Sequence, residues 1–445
     1  MTDPSIDATT MRRVSVRLLP LLCLGYISAY LDRSNVGFAA LQMNRELGFS
    51  PAVFGFGAGI FFLGYAVFEV PSNLILLRVG ARLWMARIAI TWGLIACLMM
   101  FVRTAGQFYA ARLLLGLAEA GFFPAVIYYI TRWFPGPYRA RAISLVLIGQ
   151  PLSQILGGIL GGLLLGWNGV GQLSGWQWLF LIEGLPPILL GVIVLRYLTE
   201  HPRDARWLSV EQRSSLLRQL ESDEQRLGDA PVSPLRALAN PLVWVLTLPY
   251  FALFSVTNGY TSWAPTIVRD ALGTTDKTTG FVVAGISIVA AAVYPLAGRL
   301  SDRRGERVGW AALGLGLQCA GCIGLALLPA SPLRVLGLAL IPIGLPVFMA
   351  PFWCLPGMFL KGPSAAAGIA LINTIGTTGG FFGPSIVGVL KQVTGTDAGA
   401  FLGLASLSVI GALVCWGLRR ATALPPPLRQ SHTRNDLGER RVNES

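Results

Sequence analysis

Apolar windows bounded by charges or by Gly/Pro clusters recur along the chain at roughly 18–41, 52–77, 83–103, 106–131, 141–166 and 176–199. They recur again at roughly 241–267, 279–298, 309–329, 332–354, 363–390 and 397–418. A helix rising about 1.5 Å per residue crosses a hydrocarbon core about 30 Å thick in about 20 residues, so each window is long enough to span a bilayer. The pattern predicts an all-α integral membrane protein with twelve transmembrane helices in two six-helix halves. Residues 18–199 form the first half and 241–418 the second, with polar tails at 1–17 and 419–445. The stretch 200–240 carries seven acids and a comparable number of arginines; it is too hydrophilic to cross and reads as a linker with some amphipathic helix. The first window follows Arg12, Arg13 and Arg17 as a secretory signal would, yet it continues to Leu41 without a small-residue cleavage site. It is therefore kept as the first span.

Composition agrees with that reading. The 53% apolar share of 445 residues is about 236, close to the roughly 240 that twelve spans require. A net charge of +13 would suit a nucleic-acid binder, but the basic residues sort by side of a membrane. With the amino terminus inside, 27 of the 35 lie in inner segments and 6 in outer ones, while Arg33 and Arg112 fall within spans. This distribution follows the positive-inside rule, so both termini are expected in the cytoplasm and no nucleic acid is expected as a partner. All six cysteines lie in apolar stretches, and Cys319 and Cys322 have no histidine at depth to complete a metal set. No metal or cofactor is expected. Without a Ser/His or metal constellation at depth, no enzyme is expected either.

The segment "GRLSDRRGERVGW" repeats "NLILLRVGARLW" 225 residues later, placing Arg303, Gly305 and Arg307 under Arg78, Gly80 and Arg82, so the halves are related. Gly298 to Arg307 resembles the G-x-x-x-D-R-x-G-x-R signature loop of the major facilitator superfamily. Gly298, Asp302 and Arg303 are read as gating residues, because an acid and arginines in a tight turn can pair across helix ends and latch one side shut. The first-half copy departs from the pattern, with Leu77 in place of the acid and Asn73 in place of the first glycine. "YLDRSNVGFA", "EVPSNLILLRVGARLW" and "ARLLLGLAEAGFFPAVIYYITRWFP" are similar to the anion:cation symporter family within that superfamily, most of all to its tartrate, phthalate and hydroxyphenylacetate permease-like members. This resemblance implies the major facilitator fold and uptake of a small organic carboxylate across the bacterial inner membrane. A proton gradient, occasionally a sodium gradient, would supply the energy, and the lipid-embedded chain is expected to act as a monomer. Two alternatives stay open: a uniporter or exporter of organic anions, and a non-transporting membrane receptor for one.

Six ionisable residues lie well inside spans, all in the first half: Asp32, Arg33, Glu69, Arg112, Glu119 and Glu183. A charge at bilayer depth costs at least about 2.5 kcal/mol, so each needs a partner, a wet cavity or a function. Arg112 and Glu119 are two turns apart on one helix face, whereas Asp32 and Arg33 are adjacent and point about 100° apart. The expectation is that Asp32 joins Arg112 and Glu119 in a buried cluster that exchanges a proton, and that Arg33 faces a central cavity to bind a carboxylate with its planar fork. The resemblance implies the same division, with Asp32 and Glu119 as protonation sites.

Tyr65, Gln150 and Asn373 lie roughly 14 to 20 Å into their spans, near the midplane, and are the neutral substrate-binding candidates. Asn373 also opens the run "NTIGTTGGFFGP", which can bend. Glu69, followed by Pro71 and Asn73, is a gating candidate. Glu183 reads as a structural hydrogen bonder, and Gly157, Gly158, Gly161 and Gly162 read as a surface for close helix packing.

Overall fold

The computed structural model describes residues 8–227, 239–304, 306–329, 331–356 and 364–423. The first six spans are α1 (Ala8–Leu47), α2 (Pro51–Val79), α3 (Ala81–Phe101), α4 (Ala105–Trp133), α5 (Gly136–Leu165) and α6 (Gly175–Tyr197). The second six are α7 (Pro241–Leu272), α8 (Asp276–Arg304), α9 (Val308–Leu327), α10 (Arg334–Phe352), α11 (Ser364–Thr377 and Gly379–Thr394) and α12 (Asp397–Ala423). Ten are long and apolar enough to cross a membrane unaided. The other two are α10, whose apolar stretch Arg334–Met349 is shorter, and the two-segment α11.

Hydropathy windows mark only the apolar part of each rod. Thus α1 begins at Ala8, inside the segment read as a tail, and ends at Leu47, because a helix once nucleated continues into polar turns that water can solvate.

The sequence repeat is mirrored in the packing. α1 packs on α5 and α6, and α7 on α11 and α12; α3 packs on α6 as α9 does on α12; α2 packs on α4 as α8 does on α10. Between the halves run α2 against α11, α5 against α8, and α1 against α7. These contacts concentrate at the end of the bundle opposite the chain termini. The far segment Gly379–Thr394 of α11 packs along α2, whereas its near segment Ser364–Thr377 barely touches it.

The glycine seam explains the closeness at that end. A Cβ on Gly158 would stand 2.8 Å from Gly280 O and from Ala284 N on α8, and one on Gly162 would stand 2.9 Å from Lys277 O. Gly157 and Gly161 face the other way, onto Ser34 and Phe38 of α1. The ladder therefore serves two interfaces, one within a half and one between halves.

Buried side chains follow the same plan. One apolar cluster belongs to each half near the termini, and a third, including Val36, Phe54, Trp263 and Val283, bridges both halves at the far end. Polar contacts add to that closure: Gln42 Nε2 donates to Asp276 Oδ2 at 2.9 Å, Arg269 Nη1 to Leu41 O at 2.9 Å, and Ser50 Oγ to Gln392 Oε1 at 2.8 Å. Toward the termini the halves splay apart, exposing Leu74 and Leu77 of α2 and Leu296 and Leu300 of α8.

The helix Val210–Leu227 between the halves docks on the first half. Trp207 stacks on Trp133 at 5.6 Å, Arg17 lies 5.0 Å from the Trp207 ring, and Asp223 accepts from Gly136 N at 2.6 Å.

Candidate functional site

The splayed halves enclose a cavity of about 310 Å³, lined by α1, α2, α4 and α5 on one side and by α7, α8, α10 and α11 on the other. Arg33, Tyr65, Gln150 and Asn373 all line it, as do Glu69 and Glu119. Glu119 is the last residue of its helical segment, and α4 is broken immediately after it. Ala120 is extended (φ −55, ψ 131) and Gly121 left-handed (φ 87), a conformation that only glycine adopts without strain, and a Cβ there would run into Ser72. Ser72 Oγ donates to the Ala120 carbonyl at 2.7 Å and accepts from Trp84 Nε1 at 2.9 Å, so the interruption is satisfied by side chains. The signal for this break was present in Gly121 followed by Pro124.

Geometry rearranges the expected charge cluster. Arg33 donates to Glu119 Oε1 through both Nε, at 2.8 Å, and Nη2, at 2.5 Å, so Glu119 is paired with the substrate-binding candidate rather than with Arg112. The guanidinium also lies 4.9 Å from the rings of both Tyr30 and Tyr65. The physical reason is distance along the helix: Arg112 and Glu119 share the segment Ala105–Glu119 but stand two turns, about 10 Å, apart, and Arg33 of α1 reaches the end that carries Glu119.

Arg112 is 1% exposed, donates to Ala58 O at 3.3 Å and lies 4.9 Å from the Phe61 ring; its Nε and Nη1 have no hydrogen-bond partner among the described residues. Asp32 turns away from the cavity and accepts from Asn35 Nδ2 at 3.1 Å through Oδ1, with Oδ2 unpartnered. Glu183 on α6 is equally buried, with both oxygens unpartnered, and lies within electrostatic reach of Asp32. Behind the Arg33–Glu119 pair there is thus a second charged layer, Asp32, Arg112 and Glu183, inside the first half.

Across the cavity, Asn373 Oδ1 accepts from the Tyr250 hydroxyl at 3.2 Å, and Glu69 Oε2 accepts from Thr374 Oγ1 at 3.2 Å, a bond between the halves. Gln150 and Asn373 both lie near an interruption of their helix. α5 is interrupted at Ile148 (φ −59, ψ −24) and α11 at Thr378 (φ −61, ψ −20), both with helical dihedrals, so these are soft points rather than breaks. Of the signature loop, Arg303 is exposed and Gly298 has nothing within 4 Å of an added Cβ; the Asp302 side chain lies outside the described residues. Glu306 pairs with Arg419 at 2.7 Å within the second half.

In the first half, where the repeat lacks its acid, Glu200 accepts from Ala81 N at 2.7 Å and Arg82 N at 2.9 Å, capping α3 from the linker. Sequence reasoning missed this residue, and it missed the aromatic wall of Tyr250, Tyr294 and Trp353. Tyrosines deep in apolar spans, each with a hydroxyl to satisfy, were the available signal for the wall.

A two-lobed helical bundle with related halves and an ion pair in the crevice between them matches one family model, Major Facilitator Superfamily, over residues 22–384 and 265–442. The chain belongs to the major facilitator superfamily. It is therefore a multi-pass membrane transporter. It is 45% identical to the "Putative tartrate transporter" of Agrobacterium vitis, covering 94% of this chain and 96% of the relative. It is 39% identical to the "Quinolone resistance transporter" of Acinetobacter baumannii (92% and 95% covered) and 37% identical to the "Inner membrane transport protein RhmT" of Escherichia coli strain K12 (94% and 97%). Among solved structures, a bacterial homologue of the human lysosomal transporter Spinster superposes with a TM-score of 0.75 at 19% identity, covering 91% of this chain and 96% of that one. The D-xylose-proton symporter superposes at 0.70 and 16%, covering 90% and 97%. At such identities these two likenesses speak for the fold alone.

Proposed function

We propose that this major facilitator chain imports a small organic carboxylate by proton symport with alternating access. The observation that carries the reading is the Arg33–Glu119 pair in the cavity between the halves. A guanidinium whose Nε and Nη2 are both held by one internal carboxylate cannot offer the same fork to a substrate carboxylate. Protonating Glu119 removes that competitor and leaves Arg33 free to bind the anion, so anion and proton enter together. Asp32 and Arg112 form the proton-exchanging layer behind this switch. The tartrate-named relative supports a carboxylate cargo, RhmT supports an inner-membrane location, and the distribution of basic residues supports both termini in the cytoplasm.

In that orientation the cavity opens toward the cytoplasm. Binding of both ligands neutralises the site and lowers the barrier to rocking the halves about the glycine seam. Glu69 with Thr374, and the signature loop with Gly298, Asp302 and Arg303, act as gates. The energy source is the proton gradient, with no cofactor.

The test is calorimetric titration of organic anions into purified protein. Arg33→Ala should weaken binding by about 3 kcal/mol, ~100-fold, as expected when one partner of a desolvated charged contact is removed. Wild-type affinity in that variant would refute the assignment.

A further inference from the structure

Charge and shape of the cavity restrict the cargo further. Among the described lining residues Arg33 is the single cation, facing two acids, Glu119 and Glu69. A dicarboxylate would find one guanidinium for two carboxylates, and its second charge would share the chamber with Glu69.

The Asn, Ser and Thr side chains of the lining are largely tied to the protein itself. Asn258 Nδ2 donates to Phe254 O, Thr261 Oγ1 to Thr257 O, Ser287 Oγ to Val283 O and Thr377 Oγ1 to Thr374 O, while Thr257 accepts from Gln318. Asn373 is tied to Tyr250 through its oxygen, which leaves its Nδ2, the amides of Gln150 and Gln154 and the Tyr260 hydroxyl among the polar groups still open to a cargo. A polyhydroxy acid buries a hydroxyl on nearly every carbon, and each costs free energy when it finds no partner.

Aromatic rings, by contrast, are concentrated here. Eleven of the thirty lining residues are Phe, Tyr or Trp, against 10% in the whole chain. Tyr30 and Tyr65 flank Arg33, and Tyr30 lies within electrostatic reach of Tyr250 and Tyr294 on the opposite half. Tyr250 is itself held rigid, stacked on Phe352 at 5.4 Å and edge-on to Trp353 at 5.0 Å. A carboxylate placed on Arg33 thus directs the body of its molecule into a slot walled by rings on both sides.

We infer that the cargo is an aromatic monocarboxylate, its single carboxylate on Arg33 and its ring between Tyr30 and Tyr65 of one half and Tyr250, Tyr294 and Trp353 of the other. This rests on the carboxylate reading above. The two are separable by titrating benzoate, phenylacetate, tartrate and gluconate into the purified full-length protein at mildly acidic pH. The better of the two ring acids is expected to bind about tenfold or more tightly than tartrate and gluconate. Tyr250→Phe should retain that preference, and Trp353→Leu, in protein shown to be folded by its circular dichroism, should lose it. Tartrate or gluconate binding as tightly as the ring acids would overturn the inference and leave the carboxylate reading standing. A preference intact in Trp353→Leu would overturn the ring slot. If none of the four acids bound, the carboxylate reading itself would fall.

Discussion

The two halves share one packing plan yet divide the chemistry unequally. Of the charged side chains buried among the described residues, Asp32, Glu69, Arg112, Glu119 and Glu183 belong to the first half, and the second contributes Arg334. Arg334 sits at the far end, bonded to Leu325 O at 2.8 Å and paired with Asp397 at 3.4 Å, away from the cavity. Toward the cavity the second half offers rings and amides. Interruptions of the helices differ in the same sense: α4 has a true break at Ala120–Gly121 that presents a carboxylate, while α11 is softened at Thr378 without leaving helical dihedrals. The two halves therefore share the scaffold, and both wall the cavity with rings and amides, but among the described residues the charged lining comes from the first half alone. A lone charge in lipid is costly, and gathering the charges in one half lets them compensate one another.

Each side of this division can be broken separately. The largest effect is expected at the seam where the halves meet. Gly158→Leu would force a side chain into the backbone of α8 at Gly280 and Ala284, holding the far end apart. Flux into proteoliposomes should be abolished while anion binding to purified protein persists; wild-type flux would show that the seam does not need to close. A smaller effect belongs to the neutral half. Asn373→Ala removes an uncharged hydrogen bonder and should weaken anion binding by about 1 kcal/mol, roughly fivefold, far less than Arg33→Ala. Equal losses in the two variants would erase the division of labour. Smallest in functional terms is Ser72→Ala, which strands the Ala120 carbonyl and the Trp84 indole at the break. It should lower stability by about 2 kcal/mol, read as a lower thermal-denaturation midpoint, with anion affinity unchanged. An unaltered midpoint would show that the break needs no support from α2.

Much of this was legible in the chain. Spans, halves and repeat follow from hydropathy and from the Arg78/Arg303 alignment, because lipid leaves helices few alternatives. Depth in the spans pointed to Tyr65, Gln150 and Asn373, and charge to Arg33, and all four line the cavity. What depth cannot give is rotation and continuity. A common face for Arg112 and Glu119 does not say which neighbouring helix each side chain meets, and the direct contact of Glu119 is with Arg33 of α1. The ring slot escaped for a related reason: Tyr30, Tyr65, Tyr250 and Trp353 are far apart in sequence and converge only when the halves face each other. Glu200, capping α3 from the linker, shows the same limit, since its role depends on where the chain returns after six spans.

The central claim is that Glu119 and the cargo carboxylate compete for one guanidinium, and proton counting tests it directly. Anion is added to purified protein in weakly buffered solution containing a pH indicator, and the protons taken up per anion bound are measured. Wild-type protein should take up about one proton per anion, and its affinity should rise as the pH falls, because the anion binds the form in which Glu119 is protonated. In Glu119→Gln the anion should still bind, with no proton uptake and no pH dependence of affinity from this site. Binding without proton uptake in the wild type, or undiminished uptake in Glu119→Gln, would contradict the account.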